Sequence, residues 1–302
     1  MPKVSLRQVV TSSQIKRRKF LLNVKGLRLS LGYKTKIMGI LNMTPDSFSG
    51  DGLFTQKNYS LEKIVEKAQA MIRDGADIID VGGESTRPGS RPISDREEIR
   101  RIIPLIKKLA KNTKKPISVD TYKENVAKAA LDAGGNIINN IMGTKPSKNL
   151  LKMIKSYGAA VVLMHIRGKP QTMQKNIIYK DLIAEIILEL EKSIEKCLEI
   201  GIKSDKIIVD PGIGFGKTAE HNLIILQRLA DFSALNFPLL VGTSRKSFIG
   251  KVLNREVSQR LLGTAATVAF SIYRGAHIIR VHDVKEMKDV TKMCDALLAS
   301  VK

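Results

Sequence analysis

From Lys36 onward one pattern recurs eight times: a short apolar run, a polar tip, then a segment with helical periodicity. The runs are "IMGILNM" (37–43), "DIIDVGG" (77–83), "PISVDT" (116–121) and "NIINNIM" (136–142), then "AAVVLMH" (159–165), "KIIVDPG" (206–212), "PLLVGTS" (238–244) and "HIIRVHD" (277–283). Near-continuous apolar strands imply burial on both faces and therefore a parallel sheet, and their alternation with helices implies βα units. The 3.6-residue period between runs is clearest in "DLIAEIILELEKSIEKCLEI" (181–200). Eight such units close naturally into a (β/α)8 TIM barrel. A doubly wound open sheet would want a glycine fingerprint in its first βα turn, and "NMTPDSFSGDG" is not one.

No low-complexity linker interrupts the series, so residues 20–302 are expected to form a single barrel domain behind a loose basic tail, residues 1–19. "FLLNVKGLRLSLG" reads as a β-hairpin turning near Lys25-Gly26, placed to cap the bottom of the barrel. "RRKFLL" looks like a twin-arginine signal, but Lys25, Arg28, Lys34 and Lys36 break the apolar stretch that export requires. No apolar run approaches the roughly 18 residues of a membrane helix. Two distant cysteines, Cys197 and Cys294, argue against a disulfide framework or a zinc site, and the expected compartment is the cytoplasm.

The formal net charge of +22 raises the question of a nucleic-acid partner. The lysines are scattered through helical patterns such as "IRRIIPLIKKLAKNTKK", where they form solvated faces, and aromatics are only 5%. No nucleic-acid partner is expected; a positive field would instead attract polyanionic substrates.

The strand ends carry the chemistry. In order they present Asn42 with Asp46, Glu84-Ser85-Thr86-Arg87, Asp120-Thr121, Asn139-Asn140, His165 with Arg167, Asp210-Pro211-Gly212, Ser244-Arg245-Lys246-Ser247, and Arg280 with His282-Asp283. In a barrel all these ends face one rim, where active sites sit. A single tip, such as Asp283, is explained by helix capping; eight are not. Asp120, Asn139 and Asp210 offer acceptors and an amide suited to an N–H-rich heterocycle. Lys246, Arg280, His282 and Arg87 offer cationic donors suited to a phosphate. "DPGIGFGKT" (210–218) has Pro211 where a P-loop needs glycine, so nucleotide triphosphate hydrolysis is rejected; its glycines allow a tight loop from which Phe215 packs on a ligand. His221 and His277 read as structural, and Met38 and Met43 as core fillers.

The blocks "MGILNMTPDSFS", "GADIIDVGGESTRPGS", "ISVDTYK", "NIINNI", "LMHIRGKPQTMQ", "DPGIGFGK", "GTSRKSFIG" and "RVHDV", spanning Ile37 to Val284 in this order, resemble those of the dihydropteroate synthases of the pterin-binding barrel superfamily. The resemblance implies condensation of 6-hydroxymethyl-7,8-dihydropterin pyrophosphate with p-aminobenzoate, giving dihydropteroate and pyrophosphate. It implies that Asp120, Asn139, Asp210 and Lys246 hold the pterin, with Met164 and Phe215 against its flat faces. Asn42 would bind Mg²⁺, while Thr86, Arg87, Arg280 and His282 would hold the pyrophosphate. Asp46 and Phe48, with Arg87-Pro88, Lys246 and Ser247, would close over the benzoate, Asp46 also facing the developing cation. Asp46, Arg87, Asp120, Asp210, Lys246 and Arg280 are thus the expected catalytic residues, and a homodimer is the family expectation. A pterin-binding methyltetrahydrofolate–corrinoid methyltransferase is the alternative, but it has no reason to keep "TPDSFS", "STRPGS" and "SRKS" together. The departures are modest: "SGDGL" replaces a direct Asp-Gly-Gly, Asn140 stands where Asp is common, and Lys169 adds a charge near the rim.

Overall fold

A computed structural model describes residues 17–44, 60–86 and 89–300. In chain order these form β1 (Phe20–Val24), β2 (Leu27–Leu31), β3 (Lys36–Asn42), α1 (Leu61–Arg73), β4 (Ile78–Gly82), α2 (Asp95–Asn112), β5 (Ile117–Asp120), α3 (Glu124–Asp132), β6 (Ile137–Asn140) and α4 (Lys148–Ser156). They continue as β7 (Ala160–Met164), α5 (Leu182–Ile200), β8 (Ile207–Asp210), α6 (Ala219–Gln227), β9 (Leu240–Val241), α7 (Ser247–Leu253), α8 (Leu261–Tyr273), β10 (Ile278–Val281) and α9 (Val284–Ser300).

Strands β3 to β10 pair in parallel in sequence order, and β10 returns to β3. The seam between β8 and β9 is closed by the Val209 N–H, which donates to the Pro238 carbonyl at 2.9 Å, and by a parallel bridge from Val209 to Leu239. The eight expected runs therefore all become barrel staves. The seventh is the shortest, because Pro238 has no N–H for the ladder and the chain leaves the sheet at Gly242.

Alternate residues of each strand point inward or outward. Outward Ile37, Leu41, Ile79, Val81, Ile117, Val119, Val161, Leu163, Val209 and Ile279 join the apolar stripes of the helices in the main core. Five helices begin where a side-chain oxygen caps the first turn: Ser60, Ser94, Ser147, Asp181 and Thr218 each accept a backbone N–H. Thr218 and His221 form a reciprocal capping box, which gives His221 its structural role.

Inward residues of the lower layer are apolar: Met38, Ile78, Ile137, Ala160, Val162, Ile208, Leu240 and Ile278. The β1–β2 hairpin closes this end by adding Leu22, Val24 and Leu31 to the same cluster. Its two-residue loop places both Lys25 (φ 51°) and Gly26 (φ 89°) in the left-handed region, the turn that matches strand twist. His277 ties the hairpin to the barrel: its Nδ1 accepts the Leu239 N–H at 3.1 Å while its Nε2 reaches the Arg18 carbonyl at 3.0 Å. Ser118 of β5 is the polar exception beside this layer, in register with Ile137 and buried; the charged inward residues lie above the layer.

Candidate active site

Parity puts Asp80 and Gly82 of β4, Asp120 of β5, Asn139 of β6, Met164 of β7, Asp210 of β8 and Arg280 of β10 on the inner wall of the upper half. Asn42, Gly82, Asp120 and Asn139 sit side by side in register across β3 to β6. The missing side chain of Gly82 leaves the wall open between Asn42 and Asp120: a Cβ there would meet Asn42 Oδ1 at 3.4 Å and Asp120 Cβ at 3.5 Å.

The centre is a guanidinium held by two carboxylates. Arg280 Nε donates to Asp80 Oδ2 at 2.6 Å, and Arg280 Nη2 donates to Asp120 Oδ2 at 2.8 Å. Asn139 Nδ2 donates to the same Asp80 oxygen at 3.2 Å. Asp80 is fully buried, and the second oxygens of Asp80 and Asp120 are buried with no hydrogen-bond partner among the described residues. Burial pushes the Asp120 carboxyl up, against the opposing pull of Arg280. The split of the rim into an acceptor half and a cationic half is therefore not how the side chains meet. Arg280 lies among the carboxylates, because buried charges of one sign require a partner of the other. Asp80 is absent from the sequence-derived set. Its signal was a carboxylate at the inward parity of "DIIDVGG", a run otherwise apolar at its centre.

The opposite side is formed by Asp210, Lys246 and Phe215. Asp210 is buried, and its Oδ1 accepts the Gly212 N–H at 2.7 Å. Burial pushes its carboxyl up, against that hydrogen bond. Lys246 stands 4.3 Å above the Phe215 ring and donates to the Ile213 carbonyl. Burial lowers its ammonium pKa to about 8, with the Asp210 charge opposing. Phe215 packs with Met164, Ile141, Ile166 and Met173 in an apolar cluster separate from both barrel cores. An apolar cluster thus lies beside buried acceptors, the pairing of surfaces that a planar polar ring requires.

The rim loops are braced from behind. Lys123 donates to Glu84 at 2.6 Å, to the Ile93 carbonyl at 2.7 Å and to Glu98 at 2.8 Å, fixing the loop that carries Thr86. Ser244 Oγ lies 2.9 Å from His282 Nδ1, joining the seventh and eighth barrel tips. Asp283 pairs with Arg245, whose Nε donates to it at 3.0 Å, so it does more than begin a helix. Ser247 is exposed at the start of α7. Asn140 points outward and its Oδ1 accepts the Met142 N–H at 2.9 Å. Asp46, Phe48, Arg87 and Pro88 lie outside the described residues. Asn42 is half-buried at the end of β3, with no hydrogen bond to its amide among the described residues.

A closed parallel barrel with this mouth falls in the class of pterin-binding enzymes, whose family model matches residues 38–282. The dihydropteroate synthase of Synechocystis sp. (strain ATCC 27184 / PCC 6803 / Kazusa) is 46% identical over 267 residues, 88% of this chain and 91% of the relative. That of Bacillus subtilis (strain 168) is 45% identical over 277 residues, covering 92% and 93%. The crystal structure of the Yersinia pestis dihydropteroate synthase with a sulfonamide drug complex superposes with a TM-score of 0.87 at 39% identity, covering 93% of this chain and 100% of that one. The chain belongs to the dihydropteroate synthase family, and is a transferase of folate biosynthesis. Among the described residues no helix is long and apolar enough to cross a membrane.

Proposed function

We propose that the barrel mouth condenses 6-hydroxymethyl-7,8-dihydropterin pyrophosphate with p-aminobenzoate. The observation that carries this reading is the pair of buried oxygens on Asp80 and Asp120 without a hydrogen-bond partner among the described residues, beside the Met164–Phe215 cluster. Buried acceptors demand donors, and the amino and ring N–H groups of a pterin supply them in a flat array. Asp120, Asn139 and Asp210 hold the ring edge, Lys246 donates to its acceptor side, and Met164 and Phe215 hold its faces.

In the reaction the aniline nitrogen attacks the exocyclic methylene, a C–N bond forms, the C–O bond breaks, and the electron pair leaves with pyrophosphate. Positive charge grows on the methylene and spreads into the pterin, where Asp120 and Asp210 stabilise it electrostatically. Arg280 keeps both carboxylates of its pair oriented and, with Thr86, Arg87 and His282, balances the charge gathering on the leaving group. The resemblance assigns Asp46 to the developing cation and Phe48, Pro88 and Ser247 to the benzoate. The aniline proton, acidified by attack, passes to solvent or to pyrophosphate, so no side-chain nucleophile is needed.

Mg²⁺ fits the donor set only as a companion of the pyrophosphate. Among the described residues there is no cluster of three metal-binding side chains, and Asn42 offers one hard oxygen. Asn42 would hold such a cation beside the pyrophosphate, where it would supply Lewis-acid stabilisation of the leaving group.

The assembly is proposed to be a homodimer. Support comes from the apolar α8, which exposes Leu262 (81%), Phe270 and Tyr273, a face that a second copy would cover; light scattering of the purified chain reads it. A cytoplasmic setting agrees with free Cys197 and Cys294, and no nucleic acid enters the reading.

The test is to supply the purified chain with Mg²⁺, p-aminobenzoate and the pterin pyrophosphate. Pyrophosphate release that requires both organic substrates is expected; no turnover from a folded sample would sink the reading.

A further inference from the structure

Behind the floor of the site lies a buried lysine that the proposed chemistry does not use, its ammonium pKa pushed well below the ordinary value by burial. Lys217 is 2% exposed, and no carboxylate lies within ion-pair distance of it among the described residues. Its Nζ instead lies 2.9 Å from His165 Nδ1, 3.0 Å from the Phe215 carbonyl and 3.5 Å from the His165 carbonyl. Three acceptors thus surround this one nitrogen. His165 is fully buried; its Nε2 faces Glu189 Oε2 at 3.4 Å, and Glu189 is in turn held by Arg167 at 3.0 Å. Burial lowers the imidazole to about 4, which keeps it neutral with Nδ1 free to accept.

The acceptors of Lys217 belong to two different barrel tips. His165 ends the β7 run, directly after Met164, whereas Phe215 lies in the loop that follows Asp210 on β8. Between them, Gly212 passes so close to the His165 carbonyl that any side chain there would overlap it, at a φ of 70° that glycine tolerates. Lys217 Nζ lies 3.4 Å from the position of that absent Cβ. Lys217 Nζ therefore fills the space behind the Asp210–Gly212 turn, and it fastens the loop to β7 by backbone carbonyls on both sides.

We infer that Lys217 and His165 form a buried clip that positions the Phe215 ring and the Asp210 carboxylate for the pterin. Lys217 touches neither substrate; it is a positioning residue acting through the β7 and β8 tips. The inference rests on the pterin reading of the site. It also accounts for the lysine of "DPGIGFGKT", which resembles a phosphate-binding residue but faces an imidazole and two carbonyls instead of solvent.

The test uses the full chain and 6-hydroxymethylpterin as probe, with affinity read by titration calorimetry and p-aminobenzoate KM read separately. Lys217→Met keeps the volume and removes all three hydrogen bonds, so pterin affinity should fall about 10- to 100-fold while benzoate KM stays within about threefold. His165→Leu should fall similarly. His165→Asn, whose side-chain oxygen can replace Nδ1 as the acceptor, should bind within about threefold of wild type. A role in stability alone would lower Tm in all three variants and leave the affinity of the folded fraction unchanged; that result overturns the clip. Should Lys217→Met not fold, the contrast between Leu and Asn at residue 165 decides, equal affinities overturning the clip. Failure of the wild type to bind the probe would instead overturn the pterin reading itself.

Discussion

Arg280→Ala is expected to lower Tm on the order of 10 °C at pH 8 and to cut turnover about a hundredfold or more. The substitution leaves Asp80 and Asp120 buried together without their shared guanidinium, and breaking a buried pair by removing one partner costs about 3–5 kcal/mol. The pH dependence separates this cause from a packing defect. Burial already raises the Asp120 carboxyl, and losing the cation raises it further, so the folded variant binds a proton that the unfolded chain releases. A group raised in the folded state adds stability at low pH and loses it as pH rises through the folded pKa. Wild-type Asp120 is itself raised to about 7, so the stability gap between wild type and variant should narrow as pH falls from 9 to about 7 and stay level below it. Thermal unfolding across that range checks it; a gap independent of pH would mean that the two carboxylates are not what Arg280 neutralises.

His277→Asn is expected to reveal about 3 kcal/mol of acid-sensitive stability at the bottom of the barrel. Burial depresses this imidazole from 6.5 to about 4, and the neutral ring accepts the Leu239 N–H through Nδ1, a bond that the protonated ring cannot make. The unfolded chain therefore takes up a proton between pH 6.5 and 4 that the folded chain refuses. The stability that His277 contributes is present above 6.5 and lost as pH falls through 4, at about 1.4 kcal/mol per pH unit. The difference in unfolding free energy between wild type and His277→Asn, measured by urea titration, should shrink across that window. Parallel pH profiles would contradict the neutral-ring account.

Much of the fold was legible because its signals are local. Each of the eight apolar runs is bounded by its own turn residues, and the Lys25-Gly26 loop declares a hairpin through its left-handed geometry. The place of Asp120, Asn139, Asp210 and Lys246 at the barrel mouth was legible because they fall at or just beyond strand ends, where a charge has no part in the core. Asp80 was not, since it lies inside a strand and only its partners explain it: Arg280, 200 residues away, and Asn139, 59 away. Arg280 itself was identified, but its place between two carboxylates depends on which strands face each other across the barrel. The same limit applies to Lys217. Its neighbour His165 is 52 residues distant, and a glycine-rich loop ending in lysine gives no sign that the side chain turns inward. The shortness of β9 is a third example, set by where Pro238 falls against β8 instead of by any weakness in "PLLVGTS".

The central claim is that buried carboxylates at the barrel mouth recognise the pterin by accepting its N–H groups. The affinity of 6-hydroxymethylpterin for wild type, Asp120→Asn and Asp210→Asn tests it most directly. Asparagine preserves shape but turns one acceptor into a donor facing a donor, at a cost of about 2–3 kcal/mol. Each variant should therefore bind roughly 30- to 150-fold more weakly while remaining folded. Folded variants that bind within about threefold of wild type would contradict the account.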